Sequence, residues 1–106
     1  MSKGVFFCSY KLKKGVSVPD FLFAAKELND KYISKQKGYI SWQQLELNSD
    51  DTWADLLTME SMEDVLNFEE NSKNADNPLA QNFYSFINLS SCTVRYYDEG
   101  ASYGNS

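Results

Sequence analysis

Apolar and polar positions along the chain follow two different periods, and the switches between them mark the elements. Val5 to Leu12 reads VFFCSYKL, rich in β-branched and aromatic residues, which predicts a strand. Lys13-Lys14-Gly15 is a polar break. Ser17-Val18-Pro19-Asp20 then has the make-up of a helix start: a capping hydroxyl, a proline for the first turn and an acid three residues after the cap. Phe21, Leu22, Ala25, Leu28 and Tyr32 follow at helical spacing, predicting a helix to about Gln36 that Gly38 ends. Tyr39 to Leu47 and Thr52 to Glu60 read as two strands joined through the turn-forming cluster Asn48-Ser49-Asp50-Asp51, which makes a hairpin. Ser61-Met62-Glu63-Asp64 repeats the helix-start signature, and Met62, Val65 and Leu66 begin an amphipathic stretch. The helix-poor run from Asn71 to Pro78 interrupts it. A second helical piece from Pro78 places Leu79, Phe83, Phe86 and Ile87 on one face. Ser90-Ser91 breaks that pattern, Cys92 to Tyr97 reads as the last strand, and the small polar residues from Gly100 to Ser106 are expected to fray.

The resulting order is β-α-β-β-α-β. Right-handed crossovers turn this into a four-stranded antiparallel sheet of strand order 4-1-3-2 with the helices on one face, the ferredoxin-like α+β plan. One domain fills the 106 residues, with an ordered core over about 4–98 and a flexible tail over 99–106. The hairpin turn sets the register: Leu47 faces Thr52, Gln44 faces Asp55 and Trp42 faces Leu57. Alternation then sorts Ile40, Trp42, Gln44, Glu46, Trp53, Asp55, Leu57 and Met59 to one face, and Tyr39, Ser41, Gln43, Leu45, Leu47, Ala54, Leu56 and Thr58 to the other. Both faces hold apolar residues and the helices cover one, so an apolar face is left for an interface or a ligand cleft. The small and aliphatic set suits packing under helices. The Trp-rich set is therefore expected on the open face.

Composition narrows the chemistry. Histidine is absent, which excludes Ser-His-Asp and Cys-His catalysis and any His-ligated zinc or haem. The formal net charge of −5 argues against a nucleic-acid partner. Cys8 and Cys92 are far apart in sequence and form no metal-ligand or redox spacing, so two reduced thiols packed as small hydrophobes are expected, with no metal. The apolar run Val5 to Cys8 is too short for a signal peptide, and no stretch approaches the roughly 18 apolar residues of a membrane helix, so a cytoplasmic protein is expected.

Asp55 is the sharpest catalytic candidate. It lies between Trp53 and Leu57 on a central strand, where burial raises a carboxyl toward the range of a general base. Trp42 and Trp53 can wall an aromatic ligand, Gln44 can orient a carbonyl or hydroxyl, and Arg95 can clamp an anion or pair with Asp55. Each also has a structural role open to it: a carboxylate bonded to backbone, to Arg95 or to a capping group for Asp55, core or dimer packing for the tryptophans, a partly exposed edge position for Gln44, a surface or dimer contact for Arg95. Glu63 and Asp64 stand at a helix start, where the helix dipole accounts for them.

The element order, together with the segment TWADLLTMESMED over Thr52 to Asp64, resembles the dimeric α+β barrel superfamily and its antibiotic-biosynthesis-monooxygenase-like members. A tryptophan entering the third strand, a Glu-Ser step at Glu60-Ser61 and an Asn-rich break before Leu79 carry the likeness, which covers 4–98. The resemblance implies a homodimer in which two open sheet faces meet. It also implies activities such as cofactor-free oxygenation of aromatics, haem degradation, cyclisation or isomerisation. The missing histidine tells against haem degradation and many cyclases. What the resemblance leaves is a homodimer that binds a small aromatic or hydrophobic molecule and acts on it as a cofactor-free monooxygenase, with Asp55 as base. The alternative is a non-catalytic dimeric binding or assembly module.

Overall fold

The computed structural model describes residues 2–47, 51–74 and 76–104. Strand β1 spans Gly4–Leu12, helix α1 Val18–Lys31, β2 Tyr39–Glu46 and β3 Thr52–Met59. Helix α2 spans Met62–Asn74, α3 Pro78–Tyr84 and β4 Ile87–Asp98. All ladders are antiparallel, and the sheet order is β2-β3-β1-β4, the ferredoxin-like arrangement.

The helices start where the sequence places their caps. Ser17 Oγ accepts from Asp20 N at 3.2 Å, with Pro19 in the first turn. Ser61 Oγ accepts from Asp64 N at 3.1 Å, and Asn77 Oδ1 from Leu79 N at 2.9 Å. Each bond satisfies an amide that the helix itself leaves free. Helix α1 ends at Lys31, earlier than its spacing suggests, and a 3-10 turn over Ile33–Lys35 carries the chain to Gly38. Gly38 has φ +86°, and a Cβ there would run into the Asp64 carboxylate. The glycine is thus required both by the left-handed backbone and by the close approach of α2.

Two elements run longer than the sequence pattern indicates. Helix α2 continues through Asn71, Ser72 and Lys73, because its buried stripe outweighs their low propensity. Strand β4 begins at Ile87, and Ser90-Ser91 falls inside it. There the ladder with β1 jumps from Ser9↔Thr93 to Lys11↔Asn88, two steps on β1 against five on β4. This bulge holds three extra residues on β4. Ser91 fills the gap in the ladder: its Oγ accepts from Lys11 N at 2.8 Å and donates to Asn88 O at 2.6 Å.

The hairpin register is the expected one, with Gln44↔Asp55 and Trp42↔Leu57 paired and Leu47 N donating to Thr52 O at 2.9 Å. Residues 48–50 of the expected turn lie outside the described residues. A bulge at Ile40 brings Tyr39 opposite Met59, moving Tyr39 to the face that the alternation alone denies it. The assignment of faces is reversed from the expectation. Trp53 (6% exposed), Asp55 (7%), Leu57 (3%) and Met59 (0%) lie under the helices. Leu45, Ala54 and Leu56 lie on the open face. The reason is complementarity of size. Helix α1 turns Phe21, Ala24, Ala25 and Leu28 to the sheet, and its two alanines leave depth that large sheet residues fill. Phe21, fully buried, has Trp53 edge-on at 5.2 Å, Phe83 stacked at 5.4 Å and Tyr10 edge-on at 6.2 Å. Aromatic volume thus forms the centre of the core rather than a surface.

Candidate functional site

Beyond Phe21, toward α2 and α3, the layer between sheet and helices is incompletely filled. A cavity of about 130 Å³ lies there, lined by Phe6, Cys8 and Tyr10 of β1, Trp42 of β2 and Asp55 of β3, with Phe68 and Glu69 of α2 and Phe83 of α3 among the residues opposite. Alternation along β1 turns Phe6, Cys8 and Tyr10 to the covered face, and the β1–β3 register sets Cys8 beside Asp55. An apolar cavity of roughly 150 Å³ holds one benzene ring, so this one is of single-ring size.

Asp55 is the one carboxylate of the sheet face that reaches this cavity among the described residues, and it is buried. Burial pushes its carboxyl up from 3.8 to about 7, against the opposing pull of Tyr10, Gln44 and Trp42. Tyr10 Oη donates to Asp55 Oδ1 at 2.7 Å. The same burial, with the neighbouring carboxylate, holds the Tyr10 phenol far above its ordinary range, so it stays a donor. Gln44 faces Asp55 across the ladder. Its side chain lies against both Asp55 and the Tyr10 hydroxyl, although its buried Nε2 makes no hydrogen bond of good geometry there. An apolar cavity with one carboxyl poised near neutrality and one fixed phenol donor can accept a proton from a bound molecule.

The candidates separate as follows. Asp55 and Trp42 both line the cavity, with Gln44 immediately behind. Trp53 shares the covered face but packs on Phe21, and it does not line the cavity. Arg95 pairs with Phe7 and projects to the opposite face, exposed, so it meets neither Asp55 nor the cavity. Adjacent strand positions point to opposite faces, and Arg95 is out of phase with the Cys8 position that neighbours Asp55. Tyr10 was absent from the sequence-derived set. Its signal was the alternation Phe6, Cys8, Tyr10 in β1, which becomes informative once β1 is registered against β3. Among the described residues, no group of three or more acidic or cysteine side chains could hold a metal ion. No helix among them is long and apolar enough to cross a membrane.

No family model and no curated protein matches the chain. Solved structures do. A variant of SnoaB, a cofactor-independent oxygenase from Streptomyces nogalater, superposes with a TM-score of 0.74 over 96% of this chain and 97% of that one, at 8% identity. A dimeric ferredoxin-like protein from an uncultured marine organism gives 0.67 over 100% of this chain and 95% of that one, at 12% identity. A haem-degrading protein from Mycobacterium tuberculosis gives 0.63 over 98% of each chain, at 10% identity. Activities as different as these share one backbone, so at such identities the likeness concerns the fold. The chain has the ferredoxin-like α+β fold of the antibiotic-biosynthesis-monooxygenase-like and dimeric ferredoxin-like proteins.

Proposed function

We propose that the protein is a homodimer that binds a small aromatic or hydrophobic molecule in the cavity beside Asp55 and oxidises it as a cofactor-free monooxygenase. The carrying observation is the Asp55 carboxyl, buried in an otherwise apolar cavity and pushed up to about 7. A base of that strength is matched to proton transfer at neutral pH. Asp55 takes a proton from an activated ring CH₂ or hydroxyl, with Tyr10 holding the carboxylate and Trp42 and Phe83, edge-on at 5.5 Å, walling the ring. The substrate anion then supplies the electrons. Dioxygen receives four of them as CH₂ becomes C=O, one oxygen atom entering the product and the other leaving as water. Gln44, facing Asp55 across the ladder, steadies the Asp55–Tyr10 pair in this reading.

Dimerisation is supported by the open sheet face, where Phe7, Leu56 and Leu45 accompany Tyr97, which is 50% exposed and edge-on to Phe7 at 6.5 Å. The dimeric description of one fold neighbour agrees with it. Free Cys8 and Cys92 suit a cytoplasmic setting.

The test is oxygen uptake with a panel of hydroxylated single-ring aromatics. Native protein is expected to consume oxygen at a rate that rises as pH passes through about 7, and Asp55→Asn to lose at least about 100-fold. Full activity in Asp55→Asn would remove Asp55 from the mechanism. Binding with no oxygen uptake by the native protein would favour the non-catalytic binding module.

A further inference from the structure

Two thiols that the proposed chemistry does not use meet at the same cavity. Cys8 and Cys92 are distant in sequence, yet both line it. They belong to hydrogen-bonded neighbours: Cys8 pairs with Val94 in the β1–β4 ladder, so Cys92 is its diagonal neighbour on the covered face. Burial first, and then the neighbouring Cys92, push the Cys8 thiol up to about 12. Cys92 is exposed while Cys8 is half-buried, and both are free thiols. One sulfur is thus open to solvent and the other sits behind it against the cavity. Cys92 also stands at the end of the β4 bulge, where the backbone has lost its regular ladder and is best able to adjust.

We infer that Cys8 and Cys92 form a reversible intrachain disulfide under hydroperoxide, and that this bond gates the cavity. The exposed Cys92 thiolate attacks the peroxide, breaking its O–O bond and becoming a sulfenic acid as one water leaves. The Cys8 sulfur then attacks the Cys92 sulfur, loses its proton and expels the second water. Two thiols and one hydrogen peroxide become one disulfide and two waters, with two electrons passing from sulfur to oxygen. The bond brings two sulfur atoms of the wall to about 2.05 Å and ties β4 to β1 beside the bulge. A cavity of single-ring size has no spare volume to absorb that change. The ligand therefore loses its fit on oxidation and regains it on reduction.

The gate rests on the ligand-cavity reading above, whereas the cross-link does not, so the two are measured separately. Whole protein is treated with hydrogen peroxide, then analysed by intact mass and peptide mapping. Binding of phenol, a single-ring probe that matches the cavity, is followed by calorimetry before oxidation, after it, and after dithiothreitol. The expected result is loss of two hydrogens per chain and one Cys8–Cys92 peptide, absent in Cys92→Ser and in Cys8→Ala. Affinity for phenol falls about tenfold on oxidation, recovers on reduction, and does not respond to peroxide in Cys92→Ser. No cross-link, or cross-links only between chains, overturns the proposal. A cross-link that leaves affinity unchanged overturns the gate. Reduced protein that binds no phenol overturns the ligand reading and the gate with it, while the mapped cross-link still reports on the thiol pair.

Discussion

A carboxyl that keeps its proton until about pH 7 leaves a mark on stability as well as on chemistry. The folded pKa of Asp55 is raised above the unfolded value near 3.9, so the native state holds a proton that the unfolded state releases. Its contribution is therefore intact below about pH 4 and is lost as pH rises to about 7, to the order of a few kcal/mol. Asp55→Asn removes that penalty and keeps an oxygen for the Tyr10 hydroxyl. We expect the variant to be more stable than the native protein by about 2 kcal/mol at pH 8, with the gain fading toward pH 4. Urea titrations at several pH values measure this, and a pH-independent difference would contradict a raised Asp55. At this scale much was legible: a lone carboxylate between apolar strand residues announced itself. Its partner Tyr10 did not, because a tyrosine in a strand is unremarkable until the neighbouring strand is in register.

Among the elements, what could be read locally was read well and what needed the third dimension was not. Helix caps at Ser17 and Ser61 and the hairpin register depend on residues close in sequence. The choice of face depends on what α1 offers the sheet, and Ala24 and Ala25 gave room to the large residues rather than to Leu45 and Leu56. The early start of β4 is the other long-range case. Ser90-Ser91 is a break in pattern, but the strand survives it because Ser91 substitutes for a ladder partner of Lys11. Ser91→Ala is expected to cost about 1 kcal/mol and to speed hydrogen exchange at the Lys11 amide. Unchanged protection at that amide would show that the hydroxyl does not hold the bulge.

For the molecule as a whole, the reversal of faces changes which residues a partner would meet. The surface left open carries Phe7, Leu56, Leu45, Tyr97 and Arg95 rather than the tryptophans. Leu56→Glu, half-buried at the middle of that face, is expected to shift sedimentation equilibrium from about twice 12.1 kDa to the single-chain mass while the circular dichroism of the fold persists. A variant that remains dimeric would place the contact elsewhere. The sheet also ends on two edges, β2 and β4, and β4 is the longer at 12 residues. A straight strand of that length, with its outer amides and carbonyls free, is a template for fibril growth. The three extra residues around Ser90 and Ser91 twist the ladder partway along it. The same irregularity that Cys92 borders thus interrupts the edge along which copies of the chain would otherwise pair without limit.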